Sequence, residues 1–464
     1  MRLWSTLSRQ LEELSPQDGV VRMYVCGPTV YDRFHIGNAR PFIVFDALRR
    51  YLEARGLKVI YVQNITDIED KIINRAQEEG VSPQEIAARY TEEYFHDLQL
   101  LGVKPPTHSP KATQYVEKMV EFVAKLVEKG LAYEAGGDVY FSVARFPGYG
   151  KLSGKVLEEL EAGARIAVDE RKRDPLDFVL WKAAKPGEPK WPSPWGEGRP
   201  GWHTECVVMS TDILGLPLDI HAGGSDLVFP HHENEIAQAE SLYGEPFSKI
   251  WLHNGLLTVR GERMGKSLGN FRYAREVVTE FGTEPVRYFY LSRAYRKPLD
   301  FSESGLEEAK RALQGVYDFL WEAEALPEEG EVPAEVADQL TELEEKFHAR
   351  MEEDFDTAGA IGVLHELVSL GHRLGQEGAG GSPQRAVAAL VRKLAEPLGL
   401  FQEARPQVKG RIEDLISLLI ELRATLREQK NFQLADRIRD RLAELGVELR
   451  DTPQGTRWSL RADE

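Results

Sequence analysis

Asp219-Ile-His-Ala-Gly-Gly-Ser-Asp-Leu-Val-Phe-Pro-His-His-Glu-Asn-Glu235 reads as an apolar strand, a turn at paired glycines and a helix that starts after Pro230. Proline suits the first helical turn, where its missing N–H is not needed. On that helix His231 and Glu235 stand one turn apart and project the same way. An imidazole and a carboxylate at this spacing have the donor chemistry of zinc ligands. Gly223 and Gly224 come just before the helix, where backbone N–H groups and the helix dipole can meet a nucleotide. The stretch therefore predicts a strand–turn–helix in which metal and nucleotide share one cleft.

Upstream, Val21 to Cys26 reads as a buried strand, broken by Gly27-Pro28-Thr29, and a helix runs to about Arg55, where Gly56 caps it. Leu57 to Gln63 is the next strand. Strand, helix and strand at this length form a βαβ unit with parallel strands. Ligands of such folds bind beyond the carboxyl ends of the strands, where Cys26, His35 and Thr66 fall. Helical patterns follow at about 68–79, 83–101 and 112–129, then a hairpin over Leu131–Val143 with Gly136-Gly137-Asp138 at its turn. Lys151 to Pro200 is charged, then rich in proline and tryptophan, and reads as an insertion with little regular structure between two halves of the sheet. A helix opens near Gly201. Lys249 to His253 is a further strand, and Gly261 to Asn270 a loop. From about Thr283 the pattern is helical, with Leu415, Leu418, Leu419, Leu422 and Leu426 on one stripe. Gly446 to Trp458 closes the chain as a small extended unit.

The chain has 464 residues, 42% of them apolar, a formal net charge of −17 and two cysteines, Cys26 and Cys206. Length alone suggests about three domains. No apolar run approaches the ~20 residues that span a bilayer. The first residues are polar and amphipathic, unlike a signal peptide, so a cytoplasmic address is expected. The acidic balance argues against a general nucleic-acid coat protein, although a local basic face can still bind phosphate. No long exposed apolar stripe is evident, so a monomer is expected.

Cys26, Cys206, His231 and Glu235 are candidate zinc ligands: two thiolates, an imidazole and a carboxylate make a closed four-coordinate set. Singly, each has a plainer explanation as a core thiol, a satisfied histidine or a solvated glutamate. His232 is the rival ligand, about 100° further around the helix. His35-Ile-Gly-Asn38 begins a helix, and Arg263-Met-Gly-Lys-Ser267 lies on the loop. A histidine at a helix N-terminus and a lysine on a loop can together neutralise charge on an attacked phosphate. A cap and a solvated basic turn are the plainer readings of the same residues.

Cys26-Gly-Pro-Thr-Val-Tyr-Asp with His35-Ile-Gly-Asn38 resembles the HIGH region of cysteinyl-tRNA synthetases, and Arg263 to Ser267 resembles their KMSKS loop. Phe229 to Gln238, Asn64 to Lys71 and the closing Pro-Gln-Gly-Thr-Arg-Trp458 are similar to that family as well, so the likeness covers the whole chain. It implies an α/β, Rossmann-like parallel-sheet catalytic domain with an insertion, then an all-α helical bundle and a small anticodon-binding unit. The corresponding divisions are 1–110 and 201–255 for the two halves of the catalytic domain and 111–200 for the insertion. They continue with 256–305 for the KMSKS and stem-contact region, 306–405 for the bundle and 406–464 for the anticodon unit.

The resemblance further implies ATP-dependent activation of L-cysteine and its transfer to tRNA(Cys). Cys26, Cys206, His231 and Glu235 would hold one zinc, which binds the substrate thiolate for selectivity, and magnesium would accompany ATP. His35, Asn38 and Lys266 would act on ATP, with Gly224 and Asp226 facing the ribose. Gly27, Thr66 and Trp202 would line the amino-acid pocket. In the motifs themselves, Pro28, His35, Gly37 and Asn38 belong to the first, and Arg263, Met264, Gly265, Lys266 and Ser267 to the second. Arg437, Arg441 and Trp458 would read the anticodon by stacking and edge contacts.

Two departures stand out: Asn38 replaces the last histidine of HIGH, and Arg263 and Gly265 replace the first lysine and first serine of KMSKS. A paralogous ligase that passes cysteine to an amino sugar shares the zinc and ATP motifs, but the full helical region and the closing unit favour tRNA. Intact His35 and Lys266 speak against a non-catalytic RNA-binding protein. A zinc hydrolase using Glu233 or Glu205 as base would leave the Lys266 loop without a purpose.

Overall fold

The computed structural model describes residues 1–154, 170–404, 412–452 and 455–460. They divide into two compact units, Met1–Gln402 and Glu403–Glu464. Among the described residues no helix is long and apolar enough to cross a membrane.

The first unit is built on four parallel strands in the spatial order Ser248–Asn254, Leu218–Gly224, Val20–Val25, Lys58–Gln63. Val20–Val25 and Lys58–Gln63 are rich in valine, isoleucine and tyrosine, which fit a pleated, buried surface. The helix Ile36–Ala54 connects them, and Gly56 follows it at φ +83°, a conformation that favours glycine. Chain order runs outward in both directions from the junction of Val20–Val25 with Leu218–Gly224. That junction is the topological switch point, and in such sheets the crevice beyond the strands' carboxyl ends holds the ligand. Cys26 and Gly224 stand at its mouth.

Part of the segment read as irregular is a sheet. The strands Ala132–Ala135 and Asp138–Phe141 form the expected hairpin, with Gly136 and Gly137 at φ +66° and +84°. Phe178–Ala183 and then Gly198–Pro200 extend it to four antiparallel strands. Phe178-Val-Leu-Trp-Lys-Ala183 is a good strand sequence whose Leu180 and Trp181 are wholly buried; its proline-rich neighbours obscured it. Residues 155–169 of that stretch lie outside the described residues.

Five long helices or helical segments complete this unit, at Thr283–Leu291, Glu303–Ala325, Ala334–Glu352, Thr357–Gln376 and Gly381–Ala395. They share one apolar core with the Ile36–Ala54 side of the sheet. Arg287 fastens the two: its buried guanidinium meets Asp46 at 2.9 Å and donates to Leu398 O at 3.0 Å.

The second unit contains the helices Ile412–Glu428 and Phe432–Glu444 and the antiparallel hairpin Val447–Thr452 with Gly455–Leu460. Its small core gathers Ile416, Leu442, Val447 and Leu449, with Trp458 packed against them. Arg423 and Asp451 make two parallel hydrogen bonds of 2.8 Å. The leucine stripe departs from expectation. Leu415, Leu418 and Leu422 are 52%, 59% and 51% exposed, because the adjoining face, through Ile416 and Ile420, is the one that meets the core. An exposed apolar stripe therefore does exist in this chain.

Candidate active site at the switch point

The strand Val20–Val25 delivers Cys26 to the crevice, and the helix Trp202–Leu214 brings Cys206 from the other side. Their Sγ atoms lie 3.8 Å apart. His231 and Glu235 stand one turn apart with Nε2 2.8 Å from Oε1, and His231 Nε2 is 3.5 Å from Cys206 Sγ. The donor atoms of Cys26, Cys206, His231 and Glu235 all fall within 4.8 Å of one another. Cys26, His221, His232 and Glu235 meet the same condition. His232 Nε2 is 3.1 Å from Cys26 Sγ, its Nδ1 is 2.8 Å from His253 Nε2, and His253 Nδ1 is 2.7 Å from Thr6 Oγ1. Trp202 stacks on His231, ring centroids 4.1 Å apart, and is itself 36% exposed. Gly27 follows Cys26, and Thr66 donates to Glu205, the chain neighbour of Cys206. Gly27 N–H donates to Asn64 Oδ1 at 2.8 Å, and a Cβ at Gly27 would sit 1.7 Å from Asn64 O, so only glycine fits.

The other end of the crevice carries the two nucleotide motifs. His35 precedes the helix Ile36–Ala54 as its N-cap residue, with Asn38 exposed in the first turn. Gly37 lies against the His35 ring and Met264. Pro28 O accepts a hydrogen bond from Thr66 N at 3.0 Å. On the loop, Gly265 N–H donates to Asn270 Oδ1 at 2.9 Å, and Lys266, Ser267 and Leu268 form a short turn. Lys266 Nζ is paired with Asp32, donates to Arg33 O at 2.5 Å, and lies 5.2 and 5.3 Å from the ring centres of Tyr31 and Tyr273. Arg263 donates to Asp226 at 2.8 Å, just past Gly224. The loop therefore rests on two carboxylates.

Residues 12–311 match the model of the class I tRNA synthetase (C) catalytic domain, and residues 346–402 match the DALR domain. The cysteine–tRNA ligase of Carboxydothermus hydrogenoformans is 50% identical over 464 residues, covering 99% of each chain. The chain belongs to the cysteine–tRNA ligase family. Two solved structures share the fold at low identity. The Mycobacterium tuberculosis methionyl-tRNA synthetase in complex with methionyl-adenylate has a TM-score of 0.63 at 16% identity, covering 82% of this chain and 91% of that one. The LeuRS of Agrobacterium radiobacter K84, in a ternary complex with tRNA and LeuAMS, has a TM-score of 0.60 at 14% identity and covers 97% of each.

The electrostatics of this family member differ between the two ends. Burial pushes the Cys26 thiol well above its usual value, whereas Cys206, despite equal burial, is brought down by its contacts with Cys26 and His231. Burial opposes a charge on His231 too, but Glu235 and Cys206 outweigh it and raise the ring to about 10. Glu235 is held well below the carboxylate range: burial works against this, and His221, His231 and His232 overcome it. Glu235 Oε2 and His221 Nε2 lie 2.6 Å apart, both fully buried. Two thiols, imidazoles and a carboxylate gathered out of water have the donor chemistry of a metal site.

At the nucleotide end, burial and then the charges of Lys266 and Arg263 lower His35 to about 4. The ring is therefore neutral near pH 7. In that state the ring can donate a hydrogen bond. Burial lowers Lys266 as well, against the pull of Asp32.

Sequence reasoning missed His203, His221, His253 and Asp32, and weighed Glu205 only as the base of a hydrolase. With His231 and His232, five of the eleven histidines gather here. A histidine inside an apolar strand, as in Leu218-Asp-Ile-His-Ala, was the available signal for His221.

Among the residues read as anticodon contacts, Arg437 and Arg441 line a groove of about 400 Å³ floored by Leu419, Leu422, Leu426 and Leu434. Arg441 pairs with Glu444 at 2.5 Å, and Trp458 packs on the core of its own unit.

Proposed function

We propose that the chain activates L-cysteine with ATP, forming cysteinyl-adenylate and pyrophosphate. It then passes the cysteinyl group to the terminal ribose of tRNA(Cys) and releases AMP. The convergence of Cys26, Cys206, His231 and Glu235 at the switch point, in a member of the cysteine–tRNA ligase family, carries this reading. These four residues would hold one zinc ion per chain. They are favoured over Cys26, His221, His232 and Glu235 because two thiolates make the softer, more highly charged set. The remaining histidines then orient the ligands from outside, as such neighbours do. Bound there, zinc supplies a soft acceptor that takes thiolate in preference to hydroxyl and eases ionisation of the thiol, so that cysteine is separated from serine.

The chain's own groups account for the rest. Gly27, Thr66 and Trp202 line the amino-acid pocket. In activation a carboxylate oxygen bonds to the α-phosphorus of ATP while the bond to pyrophosphate breaks. Lys266, released from Asp32, moves positive charge onto the phosphates, and neutral His35 and Asn38 donate hydrogen bonds. Gly224 and Asp226 face the ribose, and magnesium enters with ATP. The helical region from 306 and the C-terminal unit from 406 serve the tRNA, with Arg437, Arg441 and Trp458 at the anticodon.

The test is ATP–pyrophosphate exchange with each standard amino acid, followed by charging of purified tRNA. Exchange should depend on cysteine, with serine ineffective, and removal of metal by a chelator should erase that preference. Exchange driven equally by serine, or by another amino acid, overturns the reading.

A further inference from the structure

Glu205 lies on the helix Trp202–Leu214 with no exposed surface, and the reaction described above leaves it without a task. Among the described residues its side chain makes one hydrogen bond: Thr66 Oγ1 donates to Oε2 at 2.7 Å. The other oxygen, Oε1, has no partner. A carboxyl group held out of water without a cation is costly, and such a group calls for an explanation by function.

The surrounding hydrogen bonds fix the sense of the Thr66 hydroxyl. Gly27 N–H occupies Asn64 Oδ1, which turns the amide nitrogen of Asn64 toward Thr66, and that nitrogen donates to Oγ1 at 3.2 Å. The single hydroxyl hydrogen of Thr66 goes to Glu205. A hydroxyl has one hydrogen and two lone pairs, and Asn64 takes one of them. Thr66 is left able to accept one further hydrogen bond and unable to donate. An acceptor with no hydrogen to give selects an N–H donor, and an ammonium makes the stronger bond. The metal cluster adjoins it: Cys206 follows Glu205 in the chain, and its Sγ is 3.9 Å from Asn64 Oδ1. The ligand chemistry that fits is a thiol with a primary ammonium a few bonds away.

We propose that Glu205 is a positioning residue that acts through Thr66. It orients the threonine hydroxyl as an acceptor, so that the pocket grips the α-ammonium of the amino acid whose sulfur meets the metal cluster. This inference rests on the reading of the chain as cysteine-activating and adds a second point of recognition to it.

The test compares metal-loaded wild type, Glu205→Gln, Thr66→Val and the double variant in ATP–pyrophosphate exchange. 3-Mercaptopropionate, which is cysteine without its amino group, serves as competing inhibitor. Loss of the oriented acceptor should raise the KM for cysteine in Glu205→Gln about tenfold or more, while the KM for ATP stays within about twofold. Inhibition by 3-mercaptopropionate and metal content should not change. The double variant should lie within about threefold of Thr66→Val, since two residues acting as one unit are not additive.

An unmoved cysteine KM, a parallel loss of 3-mercaptopropionate binding, or additive effects would overturn the role of Glu205. If Glu205→Gln does not fold, Thr66→Ser and Thr66→Val decide: serine should restore the cysteine KM that valine raises, and equal values for both overturn the proposal. A wild-type chain that activates no amino acid, or one other than cysteine, sinks the functional reading instead. Cysteine-specific exchange with an unmoved Glu205→Gln sinks the inference alone.

Discussion

The two ends of the crevice are built on opposite plans. At the sulfur end Cys206, His221, His231, His232 and Glu235 are each 2% exposed or less, and ring stacking and hydrogen bonds from three strands and two helices hold them. At the nucleotide end Lys266 and Arg263 are carried on a loop, their side chains 22% and 62% exposed, and carboxylates of other segments hold them. A buried, cross-braced cluster is set before the ligand arrives. A loop resting on ion pairs has to exchange partners when phosphate enters, and elements that move are drawn from the less stable parts of a fold. Under the proposed function, the sulfur end would choose the amino acid and the nucleotide end would drive the chemistry.

Cys206→Ser strikes the rigid end and should have the largest effect. Bound metal should fall from one per chain to near zero, and cysteine-dependent exchange by roughly 10³-fold or more, because a hydroxyl is a poor substitute for a soft ligand. Elemental analysis alongside exchange kinetics reads both. Full metal retention would instead point to Cys26, His221, His232 and Glu235 as the ligands. Lys266→Ala strikes the mobile end. It should lower kcat for exchange by about 10²–10³-fold, the usual scale for one electrostatic contact to a reacting group, with metal content untouched. Loss of metal in this variant would show that the two ends are not separable.

A smaller effect comes from His35. Its pKa in the folded chain is about 4, below the ordinary histidine value. Between the two, the unfolded chain binds a proton that the native chain does not, so this group's contribution to stability is whole above the unfolded value and falls as pH drops toward 4. The urea midpoint of the wild type should therefore decline more than that of His35→Asn as pH is lowered from 7 to 4.5. Activation should show no titration of His35 between pH 6 and 8. A His35 resonance titrating at the ordinary histidine pKa would remove the basis for treating the ring as a neutral donor.

Periodicity showed the parallel strands and the main helices because each is long enough for its burial pattern to repeat. It also marked the thiols, His231 and Glu235 as neighbours of one crevice, since strand ends and helix starts are local features. The histidine shell was less legible. His221 sits opposite Trp251 and Tyr24 in the sheet, and register between distant strands is a tertiary fact. The strand Phe178–Ala183 pairs with a hairpin some forty residues away in sequence and was hidden by its proline-rich flanks. The leucine stripe of Ile412–Glu428 marked an amphipathic helix but not which edge of the stripe is covered. A unit this small buries too little surface to cover all of it.

Asp32 tests the comparison most finely. It holds Lys266 from a position 234 residues earlier in the chain and also accepts from Tyr273 Oη at 3.3 Å. If the nucleotide end is a resting latch, the carboxylate competes with phosphate for the same ammonium. Asp32→Asn keeps the shape and removes the competing charge. Part-exposed ion pairs are worth under about 1 kcal/mol, so the KM for ATP should fall by about two- to fivefold, with kcat and the KM for cysteine unchanged. A KM for ATP that rises would mean that Asp32 steadies Lys266 in its working position. The loop would then be preset like the sulfur end, and the contrast between the two ends would be one of exposure alone.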